Sequence, residues 1–337
     1  MQRRSLLKLT AAGLGGICAS AFTAVSVPES RLMTVRGPIK PGKLGRTLMH
    51  EHVVVDFIGA DKIAPGRYDP EEVFRAALPH LEKLKSLGCD TLVDCTPNYI
   101  GRDPAMLRRL SVATGLNILT NTGLYGAADD KYVPRFAYDE SADQLAERWV
   151  REFEDGIPPS GIKPGFMKIG VDSGPLSEID SKLVRAAARA HRRTGLVIAA
   201  HTGDGKAALA ELDVLKEEGV DPSTFIWVHA QNESDPRIHE RAAEMGAWVE
   251  FDGIAPESVE KHVELVMRMK RAGHISRVLV SHDAGWYHVG EPGGGNYRGY
   301  DKLFKQFLPA LRMAGASEDD VETLLVRNPR SALTPRP

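Results

Sequence analysis

Cysteine is scarce in this chain of 337 residues, with only Cys18, Cys89 and Cys95. Cys89 and Cys95 fall in or beside one expected strand, six residues apart. That spacing suits two buried strand residues rather than a disulfide, and three cysteines so placed exclude a cysteine-based zinc site. An excess of charge of either sign is also missing. There are 43 Lys and Arg against 45 Asp and Glu, and 26% of residues are charged, as in ordinary soluble globular chains. No basic stripe suits a nucleic acid and no charged tail suits a polyelectrolyte, so the expected partner is a small molecule. The chain has no internal repeat. Its one glycine cluster, Gly293-Gly294-Gly295, lacks the Gly-Lys-Ser/Thr ending of a phosphate cradle.

A long hydrophobic run is absent except near the start. Residues 9–25, LTAAGLGGICASAFTAV, are apolar and free of acids but rich in Ala and Gly, a weak composition for a permanent membrane span. They follow MQRRSLLK, and Ala19-Ser20-Ala21 offers a small-residue cleavage site. Arg3-Arg4 with Leu6, Leu7 and Lys8 resembles a twin-arginine export signal. An amphipathic or anchoring helix is the alternative. Gly16-Ile17 before Cys18 is a poor match for a lipid-attachment site. The expectation is a signal and linker over residues 1–30 and a mature domain over 31–337, exported to the periplasm with no stable span after processing.

From Leu44 onward, short apolar runs alternate with helix-patterned segments. Expected strands cover residues 47–56, 90–96, 117–124, 165–171, 196–202, 225–230, 247–251 and 277–281. Each is rich in Val, Ile, Leu or aromatic residues, as buried parallel strands are. Helices are expected from Asp69-Pro70 to Gly88 and over residues 181–194, 204–218, 234–245, 256–272 and 297–313, most closed by a following glycine. Strand, helix, glycine, strand, repeated along a chain of this length, points to an α/β fold of one kind, a single (β/α)8 TIM barrel. An open doubly wound sheet is the alternative.

Such a barrel gathers catalytic groups at the C-terminal ends of its strands. Six residues of metal-ligand type stand there: His50, His52, Lys168, His201, His229 and Asp283. His50-Glu51-His52 places two imidazoles on one face of a strand, with Glu51 directed oppositely. His201 and His229 each end a wholly apolar run, where a buried imidazole must find a partner. Alternation puts Asp283 on the face of Leu279 and Ser281, and His282 toward the helices. Lys168 lies inside a strand, where an ammonium must lose its charge, pair it or leave the core. Taken singly, each has an ordinary explanation: a core histidine, a helix-capping aspartate, a lysine paired with Asp172 or Asp94. Their common position favours a metal site.

The ordered series resembles the phosphotriesterase-like family of the amidohydrolase superfamily. The likeness runs from about Gly45 to Leu333. It is carried by Met49-His50-Glu51-His52, the stretch from Asp94-Cys95-Thr96 through Ile100-Gly101-Arg102-Asp103, and Thr122-Gly123-Leu124-Tyr125. Gly165-Phe166-Met167-Lys168, Ala200-His201-Thr202, Val228-His229, Ser281-His282-Asp283 and Asn328-Pro329 complete it. The resemblance implies two divalent metal ions, zinc by default, with manganese, cobalt or iron as alternatives. His50, His52 and Asp283 would hold the more buried ion and His201 and His229 the more exposed one. Lys168, carboxylated to an anionic carbamate, would bridge the two.

A hydroxide shared by the ions would attack an ester bond in a lactone, carboxylic ester or organophosphate, with Asp283 as the catalytic proton acceptor. Amide or ring hydrolysis, or a ligand-binding barrel without turnover, are the alternatives. Tyr125 and Trp286 are the expected substrate-binding residues, in an aromatic wall suited to a neutral, fairly apolar ester or lactone. Arg298 is expected at the surface, at a helix start. The resemblance also implies a homodimer.

Two positions depart from the family pattern. An aspartate commonly stands where this chain has Asn232, and a histidine or arginine where it has Gly253. The usual proton relay from Asp283 is thereby put in doubt, although Glu233 stands beside Asn232.

Overall fold

The computed structural model describes residues 31–336; the expected export signal, with Cys18, lies outside them. Eight parallel strands form the barrel. In order they are Thr47–Glu51, Thr91–Asp94, Asn117–Leu119 continued by Asn121–Thr122, Phe166–Val171, Ile198–Thr202, Phe225–Val228, Trp248–Phe251 and Val278–Val280. Each pairs in parallel with the next. The eighth returns to the first: Asp283 N–H donates to His50 O at 3.0 Å and His52 N–H to Ala284 O at 2.9 Å. The strands are shorter than the apolar runs suggested, because the last residues of several runs turn out of the sheet.

The alternation of buried side chains explains the two-layer packing. Met49, Val93, Leu119, Phe166, Ala199, Ile226, Trp248 and Leu279, one from each strand, belong to one apolar cluster that fills the barrel. Their neighbours Leu48, Leu92, Ile118, Met167, Ile198, Phe225, Val249 and Val278 pack outward in the larger cluster shared with the helices. Burying each large aliphatic or aromatic side chain contributes about 1.5–3 kcal/mol. A hairpin, Leu32–Thr34 with Gly37–Ile39, precedes the first strand, and Leu32 joins the inner cluster.

Helix ends follow side-chain chemistry. Asp69 caps Pro70–Ser86, Asp204 caps Gly205–Glu217 and Asp235 caps Pro236–Glu244, each accepting a backbone N–H. The fourth-strand helix is Glu178–Thr194, three residues longer than the alanine pattern indicated, since Ser177 and Asp180 form a capping box. Pro104–Thr114 and Ala142–Asp155 were not expected, although Asp103 and a Ser141/Gln144 capping box mark their starts. The helix expected from Tyr297 begins only at Leu303. Residues before it are otherwise engaged: Arg298 and Gly285 exchange two backbone hydrogen bonds of 2.8 Å. Among the described residues, no helix is long and apolar enough to cross a membrane.

Glu211 is fully buried on the helix behind the fifth strand, where Thr202 Oγ1 donates to its Oε2 at 2.7 Å. Burial pushes its carboxyl well above the ordinary value of 4.5. The folded protein therefore holds this proton more tightly than the unfolded chain, and stability falls as pH rises above that ordinary value. In urea titrations across pH, Glu211→Gln is expected to gain stability relative to the wild type as the pH rises. A difference independent of pH would show that Glu211 is not held protonated.

Candidate metal centre

The barrel's alternation delivers only some of the expected site residues by itself. Lys168 shares the inward face with Phe166, and His201 shares it with Ala199. The first strand would send His50 outward, since Met49 already points in. A register shift between Leu48 and Glu51 inserts the extra residue that turns His50 inward as well. Val228 belongs to the inner cluster, so His229 would face the helices if the strand continued. Instead it adopts a left-handed backbone, φ 64°, and Asp283 does likewise at φ 53°. Both are unusual for side chains with a Cβ, and such conformations gather at functional sites.

The result is convergence. His50, His52, Lys168, His201, His229 and Asp283 line one cavity of about 100 Å³, together with Tyr125, Trp286, Phe57 and Cys95. The His50 ring centroid lies 5.3 Å from that of His52 and 5.0 Å from that of His229, and His201 lies 4.5 Å from His229. Ligand atoms of His50, His52 and Asp283 all fall within 4.8 Å of one another. His50, His229 and Asp252 also meet that limit. Asp252, however, already has both oxygens engaged. Its Oδ1 accepts from His229 Nδ1 at 2.7 Å and its Oδ2 from the His229 backbone N–H at 2.9 Å. We therefore read Asp252 as orienting a ligand rather than being one.

The Nδ1 atoms of His52 and His229 are held in the manner usual behind metal-binding histidines, while that of His50 lies near two carboxylates without an aligned hydrogen bond. His52 Nδ1 lies 2.8 Å from Thr96 Oγ1, leaving Nε2 beside Asp283 Oδ1 at 3.1 Å. His50 Nδ1 faces Asp252 at 3.3 Å and Glu250 at 3.6 Å. With Nδ1 of His229 on Asp252, its Nε2 is left for the cavity. His201 Nδ1 contacts the Tyr125 hydroxyl at 2.9 Å.

Electrostatics favours neutral imidazole at His52 and His201 and an ionised carboxylate at Asp283, whereas at His50 the burial that lowers its pKa is outweighed by Cys95 and Asp252, which raise it well above its ordinary value. Burial lowers His52 below its ordinary value. Burial, reinforced by His229 and Lys168, lowers His201 further. Burial would raise the Asp283 carboxyl, but its hydrogen bond to His52 and the nearby charges of His52, His50 and His229 hold it low. Neutral imidazole with ionised carboxylate is the donor set a divalent cation requires.

Lys168 is the sharpest test of fit. It is 1% exposed, and its Nζ has no hydrogen-bond partner. Neither carboxylate considered for it is available. Asp172 accepts from the Ala128 and Asp129 backbones, and Asp94 accepts from those of Val53 and Thr96. Asp283 Oδ1 is likewise buried without an aligned partner. Orphaned buried polar atoms are rare and costly, and the pair Lys168 Nζ and Asp283 Oδ1 at one cavity fits a group that would join them.

Several other residues prove to belong to the site. Glu51, directed away from the cavity as expected, receives Ser281 Oγ at 2.8 Å, His282 Nδ1 at 2.6 Å and the backbone N–H groups of His282 and Ala284 at 3.1 and 2.9 Å. Arg298 is exposed, but it does more than the surface role expected. Its guanidinium lies 4.8 Å above the Trp286 ring and donates to Asp283 O. Glu233 does not face the cavity; its carboxylate accepts from Gly205 and Asp235. Asn232 is exposed. No sequence signal marked Glu51 or Arg298, because their partners come from loops more than two hundred and about fifteen residues away, respectively.

Comparison with known proteins places this geometry. The family model described as the phosphotriesterase family matches residues 30–333. A phosphotriesterase homology protein of Mycobacterium tuberculosis is 33% identical over 90% of this chain and 97% of its own. An N-acetyltaurine hydrolase of Dictyostelium discoideum is 29% identical over 77% of this chain and 72% of its own. A solved mutant of a phosphotriesterase-like lactonase from Deinococcus radiodurans superposes with a TM-score of 0.80 and 29% identity, covering 90% of this chain and 99% of that one.

Proposed function

From the premise that the chain belongs to the phosphotriesterase family, we propose that it is a binuclear metal-dependent hydrolase of ester bonds, with small lactones and carboxylic esters preferred to bulky organophosphates. The observation that carries this reading is the buried, unpaired Lys168 Nζ in a cavity shared with four histidines and Asp283. His50, His52 and Asp283 would hold one ion and His201 and His229 the other, with a carbamate on Lys168 between them. Zinc suits this nitrogen-rich set, and manganese, cobalt or iron would also be accepted. Bound there, the ions would supply a water-derived nucleophile near neutral pH and polarise the substrate oxygen.

The chain's own residues do the rest. Asp283, ionised and with Oδ1 at the cavity beside His52 Nε2, would accept the proton from the attacking water. Tyr125, whose hydroxyl burial keeps protonated well above its ordinary value, offers a donor at the His201 side. Trp286 packs on His52 with centroids 5.4 Å apart, and its indole N–H has no protein partner. It would bind a substrate oxygen from the opposite side. Phe57 completes the apolar wall against Trp286 at 5.4 Å. A cavity of about 100 Å³, well under the usual several hundred for ligand sites, favours a small acyl portion.

The amide-hydrolysing relative supports a second reading, cleavage of a small N-acyl group by the same centre. Export by the twin-arginine route would place the folded, metal-loaded enzyme in the periplasm, and a homodimer is part of the same proposal.

The test is a panel of γ-lactones, aryl esters, phosphotriesters and N-acyl amino compounds, assayed with zinc or manganese. Turnover greatest on lactones or small esters is expected. Asp283→Asn should lower kcat by about 10²–10⁴-fold, the span of general acid–base catalysis. A preparation holding two ions per chain that turns over none of these substrates would overturn the reading.

A further inference from the structure

Three positions around Asp252 fit one another. Gln231 is buried, and both ends of its amide are used on the same residue. Its Nε2 donates to Asp252 Oδ1 at 2.8 Å, and its Oε1 accepts the Asp252 backbone N–H at 3.2 Å. That Oδ1 is the atom that receives His229 Nδ1 at 2.7 Å. Gly253 stands next in the chain. A Cβ built there would lie 2.8 Å from Gln231 Nε2, while the other close side chain, His262, would stay at an ordinary 3.5 Å. The backbone of Gly253 lies outside the left-handed region, so chain conformation does not demand glycine. The amide of Gln231 does.

An amide suits this place because it offers a fixed donor and a fixed acceptor and carries no charge. One arm grips the carboxylate and the other the main chain of the same aspartate, so Asp252 is held against rotation about its side-chain bonds. A carboxylate held in this way accepts from only one His229 ring geometry. That selects the tautomer with Nδ1 protonated and aims Nε2 at the cavity. A carboxylate at position 231 would instead set two anions against each other.

We infer that Gln231 is the positioning residue for His229, acting through Asp252, and that Gly253 is glycine in order to admit it. The consequence for metal retention rests on His229 being a ligand, as proposed above; the tautomer selection does not. The departure at Gly253 is thus a packing solution of this chain. The pair Gln231 and Gly253 occupies the space a bulky residue after Asp252 would need.

The experiment compares Gln231→Ala, Gly253→Ala and the double variant as full-length protein. Nitrogen NMR of the His229 ring in metal-free protein should show a single Nδ1-protonated tautomer in the wild type and a mixture in each variant. With zinc added, chelator competition should show one of two ions held about 10–100-fold more weakly in each single variant, the usual effect of removing an orienting partner. The other ion should be retained as in the wild type. The double variant should be no worse than Gln231→Ala alone, since the added methyl then has nothing to displace. A misfolded protein would instead release both ions and lose its thermal transition.

Gly253→Ala with the wild-type tautomer and wild-type retention would overturn the inference, as would fully additive effects in the double variant. A wild type that binds no metal would overturn the proposed function, and the tautomer comparison would still decide this point.

Discussion

Replacing Lys168 with alanine is expected to remove both metal ions and to lower activity by at least about 10³-fold, the upper scale for one preorganised electrostatic group. The argument begins with burial. An amine that is 1% exposed with no hydrogen-bond partner is a costly orphan in the interior, and two cations beside it would repel any positive charge there. As a carbamate it becomes an anion with two oxygens, able to join both sides of the cavity. Formate, acetate or propionate with excess zinc should restore part of the metal content and activity of Lys168→Ala, by filling the vacated space with a free carboxylate. Lys168→Met separates this role from folding. It keeps the volume and discards the amine, so the metal-free variant should melt no lower than the metal-free wild type while failing to bind metal. Full metal content in Lys168→Ala would remove the bridging carbamate from the proposal.

The second large effect is expected at Glu51. This carboxylate is 0% exposed and takes four donors: Ser281 Oγ, His282 Nδ1 and two backbone N–H groups from the end of the eighth strand. His282 Nε2 accepts the Leu303 N–H at 2.8 Å, which fixes Nδ1 as the donor and extends the network to the last barrel helix. Ser281 Oγ in turn accepts the His50 N–H at 2.9 Å.

Glu51→Ala would strand these donors in the interior. Breaking a buried charged network of this kind costs about 3–5 kcal/mol, read as a lower urea midpoint of the metal-free protein. Glu51→Gln should recover little, because its NH2 would confront a backbone N–H. In whatever Glu51→Gln protein folds, the ion proposed to sit on His50, His52 and Asp283 should be lost before the other, since the network joins the strands that carry those three residues. Equal loss of both ions would show that Glu51 serves the fold alone.

Much of this site was legible from residue chemistry. Lysine and histidine at the ends of apolar runs are conspicuous because the interior tolerates them only with partners, and Lys168 and His201 reach the cavity by plain alternation. His50, His229 and Asp283 reach the same cavity, though not by the simple alternation that pointed to them. Alternation assumed unbroken strands, whereas a register shift turns His50 inward and left-handed backbones re-aim His229 and Asp283. No local pattern announces these, because each is held by contacts across the barrel: Asp252 behind His229, and the backbone bond from Asp283 N–H to His50 O. The unexpected helices Pro104–Thr114 and Ala142–Asp155 are a different case. Their caps were present in the sequence, and so was the apolar stripe Leu145, Ala146, Trp149 and Val150 of the second helix, so these two elements were legible locally.

The sequence by itself determined the class of architecture and the kind of chemistry. Strand and helix periods are local consequences of side-chain polarity, and a ligand set is a matter of residue type. Only the tertiary structure decided which atoms are left unsatisfied and which are engaged. Lys168 has neither of the carboxylates, Asp172 or Asp94, that would have explained it singly, Glu233 is turned to a helix end, and Arg298 lies over Trp286. Gln231 occupies the space that Gly253 leaves open. The physical reason is range. Hydrogen bonds and close packing act over a few ångströms between residues far apart in the chain, so their outcome exists only once the barrel has closed.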